Sequence, residues 1–174
     1  WSFEVINAFT EVDNGPNKSM LFGARTIFKP YKNLAFELIQ TTQWGGHGKQ
    51  NGLKGLMAAI TNDSNEGKYD YMNRMAGIGF SHSIPFNKNV FRIYGQAIGE
   101  DEAGGLPYCF IHLVGVEYVG ILFKKATTLG FESIDTRIDE TQRGFCGPNT
   151  AYSNGGYSYT NHGNVIGAPI DSEG

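Results

Sequence analysis

The sequence predicts an all-β protein, an antiparallel meander of about eight strands with one short helix in a long loop. Three observations predict it. Residues 90–98 alternate, with Phe91, Ile93, Gly95 and Ala97 on one face and Val90, Arg92, Tyr94, Gln96 and Ile98 on the other. A period of two is the mark of a strand between two different environments. The 174 residues include 24 glycines, 12 Phe and 9 Tyr, a profile that suits tight corners and aromatic strand ends rather than helices. Clusters of turn formers separate the alternating runs.

The elements follow in order. Residues 2–12 place Phe3, Val5 and Phe9 opposite Glu4, and Asp13-Asn14-Gly15-Pro16-Asn17 is a strong turn. Residues 20–29 place Met20, Phe22, Ala24 and Phe28 opposite Arg25 and Lys29, with a turn at 30–33. Residues 34–44 place Leu34, Phe36 and Leu38 opposite Glu37 and Gln43. Short connections make these three a meander. The segment 45–70 then leaves the pattern. Leu53, Leu56, Met57 and Ile60 fall at i, i+3, i+4 and i+7, the spacing of one buried face on a two-turn helix. An excursion of that length serves a barrel as an outer loop or a plug.

Strand character returns at 71–84, with Ala76, Ile78, Phe80 and Ile84 on one face, and a turn at 85–88 leads into the strand from Val90. That strand is expected to break at Glu100, Asp101 and Glu102, which precede Gly104-Gly105 and Pro107. Residues 108–123 form a long strand, the two lysines and the threonines at 124–128 a turn, and 129–139 another strand. Residues 142–153 read as a loop and 156–166 as a last, Tyr-rich strand.

Composition sets bounds without choosing a function. The net charge of −3 leaves no basic footprint for nucleic acid. No stretch reads as a membrane-spanning helix, because His112 and Glu117 interrupt the most apolar region, 106–123. Barrel strands cross with only about 9–11 alternating residues, so a membrane barrel stays open. A soluble sandwich and a membrane barrel share this alternation, one being the other inside out. Arg25, Glu37, Arg92 and Glu117 lie mid-strand and would line a lumen, while Tyr31, Trp44 and Phe86 lie towards strand ends, as in an interfacial girdle. No signal peptide is legible, and both chain ends read as cuts in a longer protein.

Few residues invite chemistry. Glu100, Asp101 and Glu102 offer carboxylates for glycoside hydrolysis or for a cation, or form a structural acidic corner. One short corner does not set two carboxylates about 5–10 Å apart across a substrate, so the structural reading leads. Trp44 and His47 can stack on and hydrogen-bond a sugar, or serve as a rim aromatic and a flexible loop. Asn51 in that loop, and Tyr152 and Asn154 in the later one, are the other glycan-binding candidates. Tyr157, Tyr159, Asn161 and His162 extend an aromatic and amide-rich patch that could contact carbohydrate, but the reading as a girdle with a hairpin leads. Cys109 and Cys146 form one disulfide in an oxidising compartment, or remain two thiols. No CxxC, paired histidines, GxSxG or Walker motif is present, so no metal, cofactor or nucleophile is expected.

Four ordered motifs carry a family resemblance: Q-T-T-Q-W-G-G at 40–46, M-A-G-I-G-F at 75–80, G-Q-A-I-G-E-D-E-A-G-G-L-P at 95–107 and G-G-Y-S-Y-T-N-H-G-N-V-I-G at 155–167. Together they resemble the Wzi-type capsule assembly proteins of Gram-negative outer membranes. The resemblance covers nearly the whole chain, which would be one partial barrel domain, 1–174, from the later part of a longer member. It implies a large β-barrel in outer-membrane lipid that binds capsular polysaccharide at the cell surface without turnover, alongside other capsule export components. A porin-like channel and a β-rich glycoside hydrolase using the acidic corner are the alternatives.

Overall fold

A computed structural model describes residues 1–11, 15–61, 72–103, 106–138, 146, 152 and 156–167; for 100–103 and 106 it describes the backbone alone. Seven long strands form one sheet in sequence order: β1 (Ser2–Thr10), β2 (Ser19–Tyr31), β3 (Leu34–Trp44), β4 (Met72–Phe86), β5 (Asn89–Ala103), β6 (Leu106–Leu122) and β7 (Lys125–Asp135). All neighbours are antiparallel. Helix α1 (Gly52–Thr61) follows β3. A separate two-stranded hairpin, β8 (Thr160–Asn161) and β9 (Asn164–Val165), comes last.

The register sorts the side chains into two faces. Leu38, Ile78 and Ala97 sit side by side, as do Phe36, Phe80, Gly95 and Val114. This face is apolar and, away from the end that carries Phe22, Trp44 and Met72, bare: Phe3, Val5, Phe36, Leu38, Ile78, Val114, Val116 and Phe131 are all exposed. The other face carries Glu4 beside Arg25, Glu37 in line with Gln96, and Arg92 beside Glu117. A water-soluble sheet buries its apolar face and wets its polar one. Here the apolar face lies open, which is the order required when lipid is the outer solvent and the polar face lines a lumen.

The two ends of the sheet differ. At one end the strands join through two-residue turns at Lys32-Asn33, Asn87-Lys88 and Phe123-Lys124. Phe123 (φ 49°) and Lys124 (φ 65°) are both left-handed, as a two-residue hairpin matched to strand twist requires. Aromatics gather on the apolar face near this end. Trp1 lies over Phe28 with centroids 4.5 Å apart, and Phe91 meets Tyr118 at 5.1 Å. The other end carries all the long connections.

Several sequence expectations are corrected. The turn falls at 123–124, and Lys125, Thr127 and Thr128 belong to β7. β7 stops at Asp135 rather than running to 139. Residues 156–166 are not a wall strand; they hold only the short β8–β9 hairpin. The strand does not break at the acids. Its ladder continues through Asp101↔Tyr108 and Glu102↔Pro107 to Ala103↔Leu106. Leu53 and Met57 are exposed on α1, whose buried residues are Gly55, Ala58 and Ala59.

Candidate functional site

Among the described residues, the long-connection end is built from three pieces. The first is the C-terminal segment. Tyr157 and Tyr159 are fully buried against the polar face. The Tyr157 hydroxyl donates to the Gly45 carbonyl at 2.6 Å, and Asn73 Nδ2 donates to the Tyr157 carbonyl at 2.9 Å. The Tyr159 hydroxyl donates to the Asn73 carbonyl at 3.0 Å, and its backbone N–H donates to Gln43 Oε1 at 2.7 Å. Burial pushes the Tyr157 phenol well above its ordinary range, so it stays a donor at any physiological pH. A disulfide joins Cys109 in β6 to Cys146. Both cysteines lie in a cluster with Met75, Ile111, Ile138, Tyr152 and Tyr159. The segment is therefore seated inside the wall.

The second piece is the loop after β3. Gly46 needs its glycine: at φ +100° a Cβ would lie 2.8 Å from Pro16 Cβ and 3.1 Å from the Asn17 carbonyl. Asn51 pins the loop. Its Oδ1 accepts from the Gly46 N–H at 2.8 Å, and its Nδ2 donates to the Gly46 carbonyl at 2.8 Å and the Lys49 carbonyl at 3.0 Å. The His47 N–H donates to the Asn17 carbonyl at 2.9 Å, leaving its imidazole exposed at the tip. The third piece is the β8–β9 hairpin, tied to the end of β1 by Glu11 N–H to Asn161 Oδ1 at 3.0 Å. It exposes His162 and Asn164.

The expected glycan residues divide accordingly. His47 is exposed and available. Trp44 is only 3% exposed, packed with Phe22, Met72, Ala58 and Ala59 under α1. Its buried Nε1 has no hydrogen-bond partner among the described residues. It can neither stack on a sugar nor serve in a girdle. Asn51 spends its amide on the loop backbone. Tyr152 is buried, its ring 6.4 Å from Tyr159. Asn154 lies outside the described residues, as does most of the 142–153 loop. The side chains of Glu100, Asp101 and Glu102 lie outside them too. His162, expected in the Tyr-rich patch, is exposed, whereas its patch neighbours Tyr157 and Tyr159 are buried. Gln50 and Asn164 were missed as exposed polar groups, because only the fold gathers them at the same end as His47.

The four lumen candidates lie on the polar face. Arg25 Nη2 meets Glu37 Oε1 at 2.6 Å and Arg25 Nη1 meets Glu4 Oε2 at 3.4 Å. Arg92 meets Glu117 at 3.4 Å and lies 4.6 Å over the Tyr94 ring. The Tyr94 hydroxyl donates to Glu132 at 2.9 Å, and Gln96 donates to Glu37 at 3.3 Å. Arg25, Glu37, Arg92, Tyr94, Gln96 and Glu132 line a cleft of about 340 Å³. Glu37 is nearly buried while Arg25 is 39% exposed. Arg25→Ala is therefore expected to cost about 1–2 kcal/mol, below the ~3–5 kcal/mol of a fully buried pair. Arg25→Met with Glu37→Met should cost less than Arg25→Ala alone, as read from urea midpoints in micelles. Among the described residues no three His, Cys, Asp or Glu side chains converge to hold a metal ion.

A sheet with a bare apolar face, a charged and hydrogen-bonded opposite face, tight turns at one end and long connections at the other defines part of a transmembrane β-barrel. The chain belongs to the Wzi family of capsule assembly proteins, whose model matches residues 1–174. A 55.8 kDa protein in the cps region of Klebsiella pneumoniae, named as uncharacterized, is 28% identical over 145 residues. That match covers 80% of this chain and 28% of the relative. The fold matches that of Wzi from Escherichia coli with a TM-score of 0.75 at 24% identity, over 98% of this chain and 36% of that one. That protein is described as an outer-membrane protein involved in group 1 capsule assembly and a carbohydrate-binding β-barrel. The chain thus spans about a third of the length of the relatives it matches. The fold it shares is that of an outer-membrane barrel.

Proposed function

We propose that this chain is the part of an outer-membrane barrel that holds capsular polysaccharide at the cell surface, binding it without turnover. The observation that carries the proposal is the pinned polar surface at the long-connection end. Outer-membrane barrels keep short turns on the periplasmic side and long loops outside, so this end faces the capsule. There the exposed His47, Gln50, His162 and Asn164 offer donors and acceptors that orient sugar hydroxyls, although the Asn164 amide already gives one proton to the His162 carbonyl. Each contact is weak, and a repeating glycan engages many copies, so avidity does the holding.

The seated C-terminal segment favours this reading over a channel, because it covers the polar face at the long-connection end, where solute would enter. The test is binding of purified capsular polysaccharide to the immobilised full-length protein. His47→Ala with His162→Ala should weaken binding about two- to tenfold per lost hydrogen bond, with no new reducing ends released from the polymer. Absence of binding by the unaltered protein, or steady release of reducing ends, would overturn the proposal.

A further inference from the structure

Helix α1 is apolar on both sides. Its ten residues carry one charge, Lys54, and its first turn holds no acid. One side is buried through Gly55, Ala58 and Ala59, with Leu56 and Ile60 half-buried beside Phe22, Trp44 and Met72. On the side away from the sheet, Leu53 is 74% exposed and Met57, one turn on, 52% exposed. A helix that is apolar all round requires an apolar medium on its outer side as well.

Its position supplies that medium. Phe22, Trp44 and Met72 belong to the apolar face of the wall, so α1 lies outside the barrel. Two side chains of that face fix it there. Gln40 Nε2 donates to the Ile60 carbonyl at 3.2 Å, and Thr42 Oγ1 donates to the Ala59 carbonyl at 3.0 Å. Leu38, the next residue of β3 on the same face, is exposed and begins the apolar band. The helix therefore rests on the upper edge of the lipid-facing surface and continues it.

We infer that α1 is an interfacial helix whose Leu53–Met57 edge beds into the outer-leaflet lipid, with Lys54 at the headgroup level. An amphipathic lysine can bury its stem and keep its ammonium beside anionic headgroups. A second protein is the weaker occupant, because two side chains fall far short of the roughly 800 Å² per partner that a stable interface buries. A glycan is weaker still, because this edge offers it no hydrogen-bonding side chain beyond one ammonium. The inference rests on the lipid-facing wall and on the outward orientation proposed for this end, and is independent of polysaccharide binding.

The test uses the full-length protein in dioleoylphosphatidylcholine vesicles containing lipopolysaccharide. Nitroxide labels are placed singly through Leu53→Cys and Met57→Cys, with Leu38→Cys as the lipid reference and His47→Cys as the water reference. Labelling without reductant preserves the native disulfide. Relaxation by oxygen reports lipid, and relaxation by a neutral nickel chelate reports water. The oxygen-to-nickel ratio at 53 and 57 should exceed that at 47 severalfold and approach that at 38. Ratios at 53 and 57 equal to that at 47 would overturn the inference. Shielding of both labels from both reagents would overturn it too, since protein would then cover the edge. The label at 38 reports insertion of the wall separately.

Discussion

Opening the Cys109–Cys146 bridge is expected to release the C-terminal segment before the wall unfolds. The bridge closes a loop across 37 residues. Chain entropy alone then assigns it about 4 kcal/mol. Cys109 lies within β6 and is fully buried, and Cys146 is buried with it among Ile111, Ile138 and Tyr152. The bridge thus joins wall and segment at the centre of their shared core. Cys109→Ser with Cys146→Ser should lower the apparent unfolding midpoint. Protease should then cut within 156–167 while the seven strands keep their folded, heat-modifiable mobility. The hydrogen bonds of Tyr157 and Tyr159 would still hold the segment part of the time, so its accessibility should rise further with Tyr157→Phe. An unchanged midpoint and cleavage pattern would mean that those bonds hold the segment by themselves. A bridge at this point also fits an exported protein, since disulfides persist in oxidising compartments.

The wall was legible in the sequence because period two is a local property. Arg92, Tyr94 and Gln96 against Phe91, Ile93 and Gly95 could be assigned to faces before any partner strand was known, and the register keeps that assignment. Turns were less legible where their residues are unusual. Phe123 and Lys124 take left-handed backbone without being glycine or asparagine, so Lys125 and the threonines after them drew the turn too late. The Tyr-rich run at 156–166 imitated a strand because its aromatics alternate. Their burial in fact comes from packing inside the wall, which depends on Gln43 and Asn73, more than 80 residues away in sequence.

The site was less legible for the same reason. Trp44 ends a strand on the apolar face, and nothing local says that α1 folds over it. Asn51 looks like a free amide, and only the closed loop shows both ends of it engaged with Gly46. The helix face was misjudged for a different cause. Spacing of Leu53, Leu56, Met57 and Ile60 marks burial only when water is the surrounding solvent. Beside a lipid-facing wall, an apolar residue can point outward without loss.

The central claim is that this sheet is turned inside out, with lipid on its apolar face. Two valines of one strand test it directly. Val114 lies on the apolar face of β6 beside Gly95, and is 57% exposed. Val119 lies on the polar face beside Val90, and is 44% exposed. In water the two sites are near equivalents, and arginine at either would change stability by less than about 0.5 kcal/mol. In a bilayer they are opposites. Arginine facing lipid near the midplane costs about 2–4 kcal/mol, while arginine in the lumen stays wet. The measurement is the folding free energy of the full-length protein in lipid vesicles for Val114→Arg and Val119→Arg. The account predicts a loss of about 2–4 kcal/mol for Val114→Arg and a change within about 0.5 kcal/mol for Val119→Arg. Equal small effects at both sites, or the larger loss at Val119, would contradict it.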